Sequence, residues 1–352
     1  MTSPIPPHET RTDMSTHLDE TIRGDASHDP GSAPGPGRAA RQWRNLGPWA
    51  VPALLVVLFA AFAIALPDTF ATSANVRAMV GGQATIVLLA LAVIIPLRAG
   101  DFDLSVASVM VLSGCVVGVM TGNGASPLVA CGAAVLMGAA VGVVNGFLVV
   151  RVGIDSFIAT LGTLTILTGL ATLVSDGTLV STFPEGLTGL AGWELAGFTA
   201  PVWAGWLLAL LLWYVFELTP YGRYLLFIGG NRGAAELAGL RVNAFRQGAY
   251  VASGTVSALA GLLVAGSLGA VDPTSGGAYL LPPITAAFLG ASAILLGRFN
   301  VAGTLVAIYL LAIGITGLQL SGLDAWIADA FNGACLIVAM AFAILFRRAA
   351  AK

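Results

Sequence analysis

Apolar stretches recur along this chain with a length and regularity that a water-soluble core does not need. A helix requires about 20 apolar residues to cross the hydrocarbon of a bilayer. From Trp49 onward the pattern predicts ten such spans, over residues 49–67, 78–97, 103–122, 127–149, 155–175, 201–218, 249–271, 279–297, 300–319 and 326–346. The second and third are separated only by Arg98 to Asp101, so one of that pair is expected to be broken or re-entrant. The predicted fold class is an all-α polytopic membrane protein of about ten transmembrane helices.

Composition sharpens this picture. Of 352 residues 57% are hydrophobic and only 10% charged, against roughly 25% charged in a soluble domain. The net charge of -2 argues against a nucleic-acid partner. Histidine occurs only at His8, His17 and His28. The apolar body therefore offers no imidazole for general-base chemistry or for a histidine metal site, and neither an enzyme nor a bound cofactor is expected. Cys115, Cys131 and Cys335 stand isolated in apolar stretches, without a disulfide or CxxC pattern. No GxxxxGK[ST] segment is present, so transport driven by ATP has to borrow its ATPase from another chain.

Residues 1–45 read differently. They are rich in Pro, Gly, Ser, Thr and Asp, and the run DPGSAPGPG over 29–37 has almost nothing to bury. A disordered cytoplasmic tail is expected here, followed by a permease domain over 46–348. No apolar core follows Met1 directly, which is unlike a cleaved signal peptide.

Basic residues set the orientation. With the N-terminus inside, inner segments receive Arg41, Arg44, Arg98, Arg151, Arg223, Arg232, Arg241, Arg246, Arg298, Arg347, Arg348 and Lys352, while outer segments receive only Arg77. The positive-inside bias then places both termini in the cytoplasm of a multi-pass protein of the plasma (inner) membrane. The outer connection 176–200 holds Asp176, Glu185 and Glu194; the inner connection 219–248 holds four arginines. In the latter, Gly229 and Gly230 form a flexible turn into a short helix with Ala234, Ala235, Leu237 and Ala238 around Glu236. That helix is either a docking surface or a segment lying at the lipid headgroups.

Polar residues inside the apolar body are few and costly. Asp101, Asp103 and Ser105 stand at the start of the third span, where helix-terminal amides stabilise negative charge. Capping the break is the favoured role of the two carboxylates; ion or solute contact and interface placement are the alternatives. Asn145 should hydrogen-bond across a helix contact. Thr160, Thr163 and Thr165 either face the path or bond their own i−4 carbonyls; Asn332 is a second path-facing candidate, and Asp155 and Glu217 read as interfacial. The GVVNG run over 142–146 has small residues four apart, which suits close helix approach.

Four ordered blocks resemble a known family. GDFDLSVA over 100–107 is similar to the GxIDLSVGS signature of the ribose/xylose/galactoside-type ABC import permeases. GVVNG with FIATLGT over 157–163 resembles their NGxL…FIxTLGT region. TPYGR over 219–223 with GGNRGAAELAG over 229–239 resembles their cytoplasmic TxxGR…GGNxxAAxLAG element, and YVASG with ALAG over 250–261 is similar as well. The resemblance implies a permease subunit that pairs with a second copy, docks a cytoplasmic ATP-binding subunit and receives solute from an extracytoplasmic binding protein. It implies an importer for a monosaccharide or similar polyhydroxylated solute; the alternative is another small polar solute such as an amino acid or nucleoside. Carried across, Gly229, Gly230, Asn231, Ala235, Glu236 and Gly239 belong to the ATPase-coupling segment, and Asp101, Asp103, Ser105, Asn145, Thr160 and Thr163 to the path or the core helix packing. The chain departs from the family's GxGxELxAIAAVVLGG stretch, reading GGAYLLPPITAAFLG over 276–290, with Tyr279 near the usual glutamate and a double proline beside it.

Overall fold

The computed structural model describes the backbone of residues 38–350 and the side chains of 47–341, so the predicted tail lies almost wholly outside the described residues. The chain divides into two units, Met1–Leu46 and Gly47–Lys352, and the second holds the apolar body. Its elements are α1 (Arg38–Ala65), α2 (Ser73–Gly82), α3 (Ala84–Arg98), α4 (Val106–Gly122), α5 (Pro127–Gly146), α6 (Ser156–Val174), α7 (Glu185–Gly192), α8 (Ala200–Trp213), α9 (Pro220–Gly230), α10 (Arg232–Leu237), α11 (Val242–Leu268), α12 (Leu281–Gly290), α13 (Val301–Leu320) and α14 (Trp326–Ala350). A two-residue hairpin, β1 (Glu194–Leu195) with β2 (Phe198–Thr199), interrupts the connection before α8.

The fold is all-α and polytopic. Seven helices are long and apolar enough to span a membrane: Gly47–Ala65, Ser73–Arg98, Pro127–Val152, Ser156–Val174, Ala200–Leu218, Val242–Leu268 and Val301–Leu320. Two of these run on through π-helical turns, Phe147–Val152 and Tyr214–Leu218. Val106–Gly122 and Trp326–Ala341 are shorter apolar helices. The second span is bent at Gln83, which ends α2 and opens α3. Helix α3 is buried from Val87 through Arg98 on every side, as a helix apolar all round should be. Around it, Ile64, Leu128, Ile166 and Leu207 point outward and exposed, which suits a lipid-facing shell.

The predicted eighth span needs correction. Over 279–297 the chain is helical only from Leu281 to Gly290, ten residues. Pro282 and Pro283 sit in its first turn, where the missing amides have no intrahelical acceptor to lose. Before it, residues 269–274 run back along α4 as irregular backbone, and Ser275–Tyr279 forms a short 3-10 helix. A Cβ placed on Gly114 would stand 3.0 Å from the Val271 side chain, and one on Gly276 3.8 Å from the Ala107 carbonyl. Val271 is held by paired amide–carbonyl bonds with Val180, 2.8 and 3.0 Å. This element is thus a discontinuous span, only part of it α-helical.

Lipid gives helices no hydrophobic reason to associate, so close packing has to hold the bundle. Helices α5 and α11 meet at backbone distance: a Cβ on Gly254 would collide with the Gly138 carbonyl, and one on Gly142 with the Tyr250 carbonyl. Gly146, one turn further, abuts the Gln247 amide. Gly290 and Gly303 bring α12 and α13 together in the same way.

Gly254→Val should therefore separate α5 from α11, whereas Gly132→Val, with nothing within 4 Å of its added Cβ, should be silent. Overpacking costs about 1–3 kcal/mol where neighbours give, and a carbonyl in a packed helix gives little. Thermal melting of detergent-solubilised protein should show a clear loss for the first variant and none for the second.

Candidate functional site

Residues 99–105 interrupt the two core helices α3 and α4, and the largest cluster of buried polar side chains in the described body gathers at this break. Gly100 takes φ +81, a conformation that favours glycine. It turns the chain so that Asp101 and Asp103, each 2% exposed, point into protein.

Asp101 is the centre of an ion cluster. Arg246, in the first turns of α11, donates Nε to Oδ2 at 2.7 Å and Nη2 to Oδ1 at 2.8 Å. Arg232, in α10, donates Nη2 to Oδ1 at 2.7 Å and to the Gly100 carbonyl at 3.0 Å. A two-pronged guanidinium–carboxylate contact is the strongest geometry open to such a pair. The break is thereby tied to the middle and to the C-terminal end of the connection 219–248.

Asp103 is satisfied by hydroxyls. Its Oδ1 accepts the Ser105 amide at 3.0 Å and the Ser105 hydroxyl at 2.6 Å, and its Oδ2 accepts Ser253 from α11 at 2.8 Å. Asn145 donates to Ser105 Oγ at 2.8 Å, and Thr163 donates to Asn145 Oδ1 at 2.7 Å. Thr160 accepts the Leu104 amide at 3.1 Å while bonding its own Ser156 carbonyl. Asp103 makes a side-chain turn onto Ser105 rather than reaching the first amides of α4.

Arg98 closes the other side. Its guanidinium donates to Glu217 Oε1 at 3.0 Å, and to the carbonyls of Phe216, Gly222 and Phe299 at 3.0–3.2 Å. It lies 4.5 Å from the centre of the Phe216 ring. A cation beside the last carbonyls of the α8 span suits that helix C-terminus.

The six residues predicted for the path or core, Asp101, Asp103, Ser105, Asn145, Thr160 and Thr163, all lie in this buried assembly, and their polar side chains bond protein. Thr165 is exposed and bonds the Leu161 carbonyl. Asp155 caps α6 through the Phe157 and Ile158 amides. Glu217, read as interfacial, is the partner of Arg98. The arginines were counted for orientation and missed as partners; a carboxylate buried at a break demands a cation, and Arg232 and Arg246 are on the connection that reaches it. Ser253 carried no such signal.

The coupling segment needs two corrections. Gly229 and Gly230 do not form the flexible turn expected of them; both close α9 with negative φ. Gly229 is needed for proximity, since a Cβ there would overlap the Arg98 carbonyl, while Gly230 has open space. Asn231 caps α10 by accepting the Ala234 amide at 3.0 Å. Ala235 is fully buried with Ile228 and Val242, so it faces this chain and offers no outward contact. Gly239 takes φ +80 with nothing near its added Cβ, so it is a turn residue and not a site of close approach. The outward face is Glu236, Ala238 and Leu237, the last 92% exposed.

Among the described residues no group of three or more His, Cys, Asp or Glu could hold a metal. The family described as "Branched-chain amino acid transport system / permease component" matches residues 77–340. The ribose import permease protein RbsC of Escherichia coli K12 is 31% identical over 278 residues, covering 78% of this chain and 86% of that protein. The L-arabinose transport system permease protein AraH of the same strain is 32% identical over 302 residues, covering 86% and 91%. The L-arabinose ABC transporter permease protein AraH of Azospirillum brasilense is 29% identical over 317 residues, covering 90% and 93%. No solved structure matches. With that family match and these full-length similarities, the chain belongs to the branched-chain amino acid transport system permease component family, as a multi-span, non-catalytic membrane permease homologous to the sugar permeases of ABC importers.

Proposed function

We propose that this protein is the membrane-spanning subunit of an ATP-driven importer for a monosaccharide, working with a second permease copy, a cytoplasmic ATP-binding subunit and an extracytoplasmic solute-binding protein. The observation that carries the reading is the ion cluster in which Arg232 of α10 grips Asp101 and the Gly100 carbonyl of the core break. A short helix exposing Leu237 outward and bonded inward to the core is built to pass a push from a partner to the bundle. The similarity to ribose and arabinose permeases supports a sugar as solute. The family description names branched-chain amino acids instead, so uptake of ribose, arabinose and leucine by the reconstituted complex decides between the two classes.

In this scheme nucleotide binding moves α9 and α10 as a unit, because Gly229 abuts Arg98 and Asn231 caps α10. Arg232 and Arg246 pass that displacement to residues 99–105, and so to the packing of α3, α4 and α11. Connection 219–248 and both termini face the cytoplasm of the plasma (inner) membrane, and 176–200 faces outward.

Orientation is checked by single-cysteine labelling in a background lacking Cys115, Cys131 and Cys335. A cysteine at 190 should react with an impermeant reagent from outside and one at 233 only from inside; the reverse pattern sinks the proposed orientation.

Leu237→Asp should abolish co-purification of the ATPase subunit while leaving the permease folded. Arg232→Gln should retain the ATPase but lower uptake per ATP by about tenfold, corresponding to about 1.4 kcal/mol of lost coupling. Arg246→Gln leaves Asp101 with a single, part-exposed cation, and a broken buried pair costs about 3–5 kcal/mol. That variant should fall in folded yield, which distinguishes the structural arginine from the coupling one. Equal behaviour of the two variants in yield and transport would overturn this division.

A further inference from the structure

The break is a poor place for solute, because its carboxylates, hydroxyls and amide are already bonded to protein. Polar groups with spare capacity stand elsewhere, at the discontinuous span. Residues 269–280, irregular up to Thr274 and then the short 3-10 helix Ser275–Tyr279, line a cavity; backbone outside an α-helical ladder is tolerated where it is buried in protein or lines a wet cavity. A cavity of about 250 Å³ opens between α4, α11 and this segment, bounded by Val111, Val264, Val271, Asp272, Ser275 and Tyr279 among others.

We infer that this cavity is a solute subsite that takes a polyhydroxylated ring, with Asp272, Ser275 and Tyr279 as its polar contacts. Asp272 Oδ1 accepts the Thr274 amide at 2.8 Å and hydroxyl at 2.7 Å, while no protein group among the described residues donates to its Oδ2. Ser275 gives its proton to the Asp272 carbonyl at 2.7 Å, leaving oxygen lone pairs to accept. The Tyr279 hydroxyl has no protein partner among the described residues and both donates and accepts. Acceptors in excess over donors, on otherwise apolar walls, fit a ligand rich in hydroxyl donors with apolar C–H faces. Pockets for small molecules are commonly built this way, from mostly apolar walls and a few placed polar groups. Gly261 and Gly114 keep the walls close: a Cβ on Gly261 would collide with Ser113 and the Met110 carbonyl.

The inference rests on the importer reading for its solute class, and its test is chosen to separate the two. Ser275→Cys is placed in the cysteine-free background, and the full-length protein is reconstituted in liposomes. A small thiol reagent is applied from the face carrying residues 176–200. Ribose or arabinose at roughly 100 mM should slow labelling at least about threefold, the protection expected once free solute exceeds twice its dissociation constant. Betaine at equal osmolality should not. Adding Asp272→Asn should raise the protecting sugar concentration by a similar factor, with labelling in its absence unchanged. Equal protection by betaine, no protection by either sugar, or an unreactive cysteine in correctly folded protein overturns the subsite. Sugar protection in a permease that recruits no ATPase would keep the subsite and remove the importer reading; ATP-driven uptake without protection would do the reverse.

Discussion

A carboxylate cannot sit bare in a low-dielectric interior, and the architecture of this permease is organised around meeting that demand at Asp101. The desolvation cost of one ion is several kcal/mol even after relaxation, and it is offset only by close, well-aligned partners. Two guanidinium groups supply them, one from the α10 helix and one from the start of α11. Arg246 is buried with Asp101 and Arg232 is part-exposed, so the cluster has a buried arm and a surface arm. The buried arm ties the core break to α11. The surface arm adds a second cation, so the carboxylate has a partner on each side.

The same constraint explains the chemistry around it. Residues 99–105 leave the helical ladder, and their amides need acceptors that lipid does not provide. Thr160 accepts the Leu104 amide, Ser156 the Phe102 amide, and Asp103 the Ser105 amide. Each acceptor side chain other than Asp103 itself comes from α6, which explains why a threonine-bearing helix packs beside α4. Close approach is the second requirement, and glycine meets it: α5 and α11 pack with Gly138, Gly142 and Gly254 in contact through backbone atoms. That approach brings Ser253 within 2.8 Å of Asp103.

Much of this was legible in the sequence, and the failures have physical causes. Nine of the predicted spans coincide with apolar helices because twenty apolar residues in a row have few other fates. The break was visible because Asp101 and Asp103 interrupt an apolar run. The discontinuous span was missed because hydropathy counts side chains and not backbone: the apolar residues 291–297 read as helix, yet the helix ends at Gly290, and Pro282 and Pro283 mark where it begins. The coupling glycines were recognised as a group and misassigned one by one. A glycine chosen for φ, Gly239, and one chosen for proximity, Gly229, look identical in a sequence. The arginine partners were hidden for a different reason: charge sorting treats every loop cation as solvated, and Arg246 lies inside the first turns of a spanning helix.

The body thus sorts its scarce polar groups into two sets. Those at the break are bonded to one another and to backbone, which leaves them little spare hydrogen-bonding capacity. Those along residues 269–280 are only partly bonded, in a segment whose backbone is not committed to an α-helical ladder. The two sets are joined by α4, whose first residue follows the Asp103–Ser105 turn and whose later turns, at Met110 and Val111, wall the cavity. Helix α11 joins them a second time, with Arg246 and Ser253 at one end and Gly261 and Val264 toward the other. A tilt of either helix at the break therefore has to change the cavity walls. The two sets of polar groups are therefore mechanically linked through two helices, while no residue belongs to both.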